Sequence, residues 1–457
     1  MKRKLIFLIL LIRGIAFAVL DDYTLKNKVE HNNIRALQEL RVTTLDPIKL
    51  NDIYSKRAFI YIYETLFEID DDGVIHKKLV SDYRYINSKN LYIKLRDNIK
   101  FQDGSLLTAK DVKYSLMRMK KKGALKEFYS NIQDIEVLNS SELIIRLNTE
   151  EKYLFKLLSH SMSSIIKEKD GKLFGTGEYQ VKSFDKDQIV LSDNNKEKTF
   201  TIEKVFSTKE RLLALFNENA DIVYDINDYN IIKGKRLEII NEDKIEIKAS
   251  DNIVTLALIF GKERELKFKK VIQSSIKDKT ENILPPEIYG ENFKVQEFNL
   301  SKDEMKLYVD SLKKENRKIE LMILNTEEDR ELAKKIESDL KNNGIEIKIT
   351  PYQVDAFYYK LKNKDYDIAL QHLVFNKKFP QISLGKVILY DIYDRNLYNS
   401  FSLIKAQLGI DKGLEKNNST FIRDINNIFN KIPYIPIKHQ ALYILHNKEI
   451  GEEKIKK

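Results

Sequence analysis

Between residues 91 and 147 apolar and polar positions alternate in short, regular runs. Leu91, Ile93 and Leu95 alternate with Tyr92 and Lys94, the period of two that marks a half-buried strand. Phe101 is followed by Asp103-Gly104, a dipeptide that tolerates the positive φ of a tight turn. Thr108 and Asp111 have the spacing of a capping box, and Val112, Leu116 and Met119 then share one helical face. Two hairpins are predicted around this segment. Asp82 to Leu95 folds back over Asn87-Ser88-Lys89-Asn90, and Ile132 to Leu147 over Asn139-Ser140-Ser141. Upstream, Ser55 to Phe67 carries Ala58, Ile62 and Leu66 at helical spacing.

The pattern changes in the second half. Ile319 to Leu324 ("IELMIL") is a compact apolar strand, and Leu332, Ile336 and Leu340 mark an amphipathic helix stopped by Gly344. Ile345, Ile347 and Ile349 alternate as a second strand. Asp355 to Lys362 reads as a short helix and Tyr366 to Phe375 as a third strand. That order is βαβαβ, which implies a parallel sheet with right-handed crossovers. Ligands of such sheets sit beyond the carboxyl ends of the strands. Here those ends are Asn325 to Glu327, Thr350 to Tyr352 and His372 to Asn376.

A length of 457 residues calls for more than one lobe, and 32% charged residues read as globular. The first residues, MKRKLIFLILLIRGIAFA, have the basic start, apolar run and A-x-A site of a cleaved export signal. The chain has no cysteine, hence no lipobox, disulfide framework or thiol chemistry. The formal charge of +10 falls to about +6 without the leader and is spread along the chain, which argues against a nucleic-acid partner.

Catalytic signatures are missing. The six histidines (His31, His76, His160, His372, His439 and His446) lack the spacing of a helical metal pair and read as surface or packing side chains. There is no nucleophile elbow and no phosphate loop. Gly171, Gly175 and Gly177 read as a turn entering a strand at Tyr179 to Phe184. With 69 acidic residues, no carboxylate pair stands out, and a carboxylate-pair hydrolase stays open without any residue that supports it. The balance is against an enzyme, a metal or a cofactor.

Several segments then carry a resemblance. "TTLDP" (Thr43 to Pro47), "IYETLFEID" (Ile62 to Asp70) and "KLRDNIKFQDGSLLTAKDVKYSLMR" (Lys94 to Arg118) resemble the family 5 extracellular solute-binding proteins, which include the oligopeptide- and dipeptide-binding components of ABC importers. "GTGEYQVKSF", "LLALFNENADIVYDI", "LAKKIESDLKNNGIEIKI", "DYDIAL" and "IPYIPI" follow in the family's order. The resemblance implies an α/β fold, a two-lobed periplasmic binding protein of class II. This is a Venus-flytrap-like clamp with an extra subdomain in the N-terminal half.

The implied division is a signal peptide over 1–18, the first lobe over 19–55 and 165–250, an inserted subdomain over 56–164, the second lobe over 251–432, and a return to the first lobe over 433–457. The implied function is periplasmic capture of a peptide or other small solute, as a monomer, for a membrane ABC permease. The peptide is held by β-strand addition. The alternative is a degenerate solute-binding fold used as a protein-interaction or structural module of the cell envelope.

Carried over position by position, the pairing segments fall at Asn51, Asp52 and Ile53 on one side. On the other they fall at His372, Leu373, Val374, Phe375 and Asn376. Peptide-binding relatives continue with a tryptophan and then an acidic residue for the peptide amine. This chain has no tryptophan, and "HLVFNKKFP" places Asn376 at the acidic position with Lys377 and Lys378 beside it, two ammonium groups expected to repel an amine.

Overall fold

In the computed structural model, residues 33–450 are described apart from 51, 152, 237, 242, 262–265, 297, 299, 315–318, 388–421, 424, 427–428 and 430–433. The export signal and Asn51 therefore lie outside the described residues. Among the described residues no helix is long and apolar enough to cross a membrane. The chain divides into two compact units.

The first unit takes the chain up to Val42, Glu178–Lys248 and the stretch from Ile444. Its strands lie in the order Tyr179–Phe184, Gln188–Asp193, Thr199–Lys204, Asn33–Gln38, Ile222–Asn227. Asn33–Gln38 is parallel to both of its neighbours, and the other pairs are antiparallel. Ala36, Leu37, Leu191, Phe200, Ile222 and Val223 are almost fully buried.

The second unit contains Thr43–Gly177 and Ala249–Tyr443. In its N-terminal part the hairpins form as the alternation predicts. Val80–Asn87, Asn90–Leu95, Glu142–Leu147 and Ile132–Val137 make an antiparallel sheet in that order. Gly104 adopts φ +82°, and the helix Ala109–Lys122 starts at Thr108, whose amide and hydroxyl both donate to the Asp111 carboxylate at 2.9 and 2.6 Å. Val112, Leu116 and Met119 are buried beneath it.

Helix α1 (Ile53–Ile62) begins at Asp52, whose carboxylate accepts from the Ser55 amide at 2.6 Å. It is shorter than the helical spacing suggests, and Leu66 is buried in the segment that follows. The stop has a physical cause. The Ile62 carbonyl accepts from Gln102 Nε2 at 2.8 Å and from the Gly177 amide at 3.0 Å, in place of a further helical turn. A Cβ at Gly175 or Gly177 would overlap the Ile62 carbonyl, so both glycines serve this close approach as well as the turn.

The C-terminal part of this unit is an open sheet. Its elements are β1 (Ile245–Phe260), β2 (Ile319–Leu324), α2 (Glu327–Asn342), β3 (Ile347–Tyr352), α3 (Val354–Asn363), β4 (Ile368–Asn376) and α4 (Pro380–Lys386). The strand order is β1-β4-β2-β3, with β2 parallel to both β3 and β4, the βαβαβ arrangement predicted. The antiparallel neighbour β1 carried no signal of this pairing in the sequence. Both faces are covered. Ala369, Leu373 and Phe375 enter one apolar cluster, and Ile368, Leu370 and Val374 meet the other. The continuous apolar run of β4 follows from this two-sided burial.

Candidate functional site: the carboxyl end of β4 and the start of α1

β4 outruns its parallel partner. It pairs with β1 from Phe260↔Ile368 to Asn252↔Asn376, but with β2 only at Leu321↔Ile368 and Met322↔Ala369. The Lys377 amide donates to the Asp251 carbonyl at 2.8 Å, which sets the phase of the antiparallel ladder. Counting back in twos, Phe375 and Leu373 turn their amides to β1, and Val374 turns its N–H and C=O to the opposite side. The Asn376 amide agrees, donating at 2.9 Å to Ser383 Oγ of α4. No hydrogen bond joins Val374 to a described residue beyond the β1 ladder.

The neighbouring side chains are held in place. His372 Nε2 lies 2.9 Å from Oδ1 of Asp329, a fully buried residue of α2 whose Oδ2 accepts from the Leu324 amide at 3.2 Å. The Phe375 ring meets Tyr289 edge-on at 5.8 Å, in the core. Asn376 is occupied by its own turn. Its Oδ1 accepts from the Lys378 and Phe379 amides at 3.0 and 3.1 Å, and its Nδ2 donates to Asn252 Oδ1 at 2.9 Å.

The lysine pair needs correction. Lys377 is exposed, and Lys378 Nζ lies 2.8 Å from Asp71 Oδ1 and 3.2 Å from Asp251 Oδ2. Burial disfavours its charge, but the two carboxylates outweigh it and hold its pKa above the ordinary value. Lys378 is thus an ion-paired tie, not one of two loose ammonium groups.

The uncompensated cation is elsewhere. Lys56, in the first turn of α1, places Nζ 5.3 Å from the ring centroid of Phe379. The His160 ring meets the same ring at 4.8 Å and 85°. Among the described residues the Lys56 ammonium has no hydrogen bond and no ion pair, and Phe379 is its one described contact of this kind. Desolvation, opposed by Asp251 and reinforced by Lys378 and Arg57, lowers its pKa to about 8. A cation–π contact contributes about 0.5–2 kcal/mol, less than the hydration an ammonium loses on burial.

His160 Nδ1 accepts from the Met162 amide at 3.2 Å, so the proton of the neutral ring sits on Nε2. Desolvation, with the nearby Lys56 adding to it, lowers the His160 pKa to about 3 and keeps the ring neutral. Two donors, Lys56 Nζ and His160 Nε2, therefore lie beside Phe379 without an acceptor among the described residues. Among the described residues no trio of His, Asp or Glu side chains converges as a metal-ligand set.

Of the residues singled out from sequence, Asn51 is outside the described set, Asp52 caps α1 and Ile53 is the first helical residue. Ile53 and Val374 pack against the same apolar cluster, and the Lys56–Phe379 contact brings the two neighbourhoods together. Lys56, His160 and Asp251 escaped the sequence reading. Lysine is abundant, a single histidine has no partner spacing, and Asp251 lies on a strand whose pairing was not foreseen.

Residues 79–270 match the family model for bacterial extracellular solute-binding proteins, family 5 (middle). The chain is 26% identical over 325 residues to the nickel-binding protein NikA of Staphylococcus aureus, covering 63% of this chain and 64% of that protein. It is 32% identical over 161 residues to the glutathione-binding protein GsiB of Salmonella typhi, covering 32% and 31%. The match thus spans less than two thirds of either relative's length. Among solved structures, the periplasmic binding protein DppA of Helicobacter pylori, in complex with the peptide STSA, superposes with a TM-score of 0.74. That match covers 91% of this chain and 94% of DppA at 17% identity. The fold is therefore α/β and that of the two-lobed periplasmic binding proteins. The chain thus has the fold of the periplasmic binding proteins, and its middle segment, residues 79–270, carries the pattern of the family 5 extracellular solute-binding proteins.

Proposed function

We propose that the chain is the solute-binding component of an ABC importer, working outside the cytoplasmic membrane and passing a peptide or peptide-like solute to a membrane permease. The export signal over 1–18, action as a monomer, and the division into first lobe, inserted subdomain and second lobe given above belong to the same proposal. The family is one of binding proteins, and the relatives bind nickel, glutathione and, in DppA, a tetrapeptide.

The observation that carries the reading is the backbone edge at Val374. An extended ligand would pair there, along His372 to Asn376, with Asn51, Asp52 and Ile53 on its other side. Backbone pairing gives affinity with little preference for side chains.

The test is calorimetric titration with short peptides, followed by versions carrying one N-methylated backbone amide each. N-methylation of the amide that meets Val374 should weaken binding at least tenfold, while the flanking positions tolerate it. Equal affinity across the methylation series would rule out strand addition, and no binding by any peptide would remove the peptide reading.

A further inference from the structure

A peptide amine is the wrong partner for this site. The acidic position holds Asn376, whose side chain is spent on Lys378, Phe379 and Asn252. The two carboxylates nearby, Asp71 and Asp251, are engaged by Lys378. What remains is a cation, Lys56, with no carboxylate within ion-pair distance among the described residues, and beside it a neutral imidazole with its Nε2 proton available.

We propose that Lys56 and His160, framed by Phe379, form an anion anchor, and that the solute this chain binds carries a carboxylate placed there. The inference rests on the solute-binding reading and specifies its polarity. The carboxylate accepts from the Lys56 ammonium on one side and from the His160 Nε2–H on the other. Charge-assisted hydrogen bonds of this kind are the strong ones in a desolvated site. Phe379, only 7% exposed, is the apolar ring against which both donors lie.

The surrounding charges are consistent with this role. Arg57 stacks on Tyr54 at 5.6 Å, Lys378 is paired, and Asp251 is the carboxylate that acts on Lys56 from β1. Counting Lys56, Arg57 and Lys378 against Asp71 and Asp251 leaves one net positive charge. The low pKa of Lys56 supports the assignment: the site holds the ammonium at a cost that an arriving anion removes.

The anchor is tested with the full chain against peptide pools in four forms: free, N-acetylated, C-amidated, and both acetylated and amidated. A fifth pool holds small carboxylic acids without peptide bonds, such as succinate and citrate. Free and acetylated peptides should bind alike, and amidation should cost at least tenfold. In Lys56→Met the difference between acid and amide should vanish, and in His160→Phe it should shrink, with melting curves confirming that both variants fold.

Equal affinity for acids and amides would overturn the anchor while leaving the binding protein in place. Binding of the small acids but of no peptide would keep the anchor and remove the peptide reading. Binding of neither class, measured at neutral pH, would overturn both.

Discussion

Replacing Lys56 by methionine should make the unliganded protein more stable. Methionine keeps the length and apolar shaft of the side chain and removes the charge. The structure takes this ammonium from an ordinary pKa of 10.5 to about 8. That depression corresponds to about 3 kcal/mol of folding free energy withheld while the group is charged. Lys56 keeps partial contact with solvent, which brings the expected gain for Lys56→Met to about 1–3 kcal/mol at pH 7.

The assay is urea unfolding followed by far-ultraviolet circular dichroism, since the chain has no tryptophan. The pH dependence supplies a signature that a packing effect would lack. Between about 8 and 10.5 the unfolded chain holds the lysine proton and the folded chain releases it, so wild-type stability rises with pH across that window. The advantage of Lys56→Met should therefore be complete below pH 8 and gone by about pH 10.5. A variant less stable than wild type at pH 7, or a gap that does not change with pH, would refute the reasoning and make Lys56 an ordinary structural residue. A gain in stability with a loss of binding is the trade-off expected at a functional position.

Two further predictions concern the scaffold of the site. Gly177→Ala places a methyl group against the Tyr61 and Ile62 carbonyls, so it should cost about 1–3 kcal/mol in the same unfolding assay; a change below about 0.5 kcal/mol would mean that the end of α1 yields easily. Asp329→Ala leaves the Leu324 amide and His372 Nε2 without their buried acceptor, which should cost about 2–4 kcal/mol. A neutral result would show that water replaces the carboxylate.

The βαβαβ order, both hairpins and the capped helix at Thr108 were legible because each depends on neighbours within about 20 residues. Ile319 to Leu324, Leu332 to Leu340 and Tyr366 to Phe375 announce their elements by their own periodicity, whatever they pack against. The segment His372 to Asn376 was legible as a strand end for the same reason. Its unpaired edge at Val374 was not, because that depends on how far β2 accompanies β4 and on β1 pairing to the other side. The early stop of α1 was hidden too, since it is made by Gln102 and Gly177, far away in the chain.

By itself the sequence determined the local elements, the order of the parallel strands and the likeness to a solute-binding family. Hydrophobic period, capping and turn chemistry are properties of short segments. The tertiary structure alone decided which charges remain available. Lys56 lies between Ser55 and Arg57 and Lys378 between Lys377 and Phe379, each beside a second basic residue, and nothing local says which of the two will be paired. Folding carries Asp71 and Asp251 to Lys378 and leaves Lys56 on Phe379 next to His160. Charge compensation is set by distances of a few ångströms between residues up to 307 positions apart, and no pattern along the chain records them.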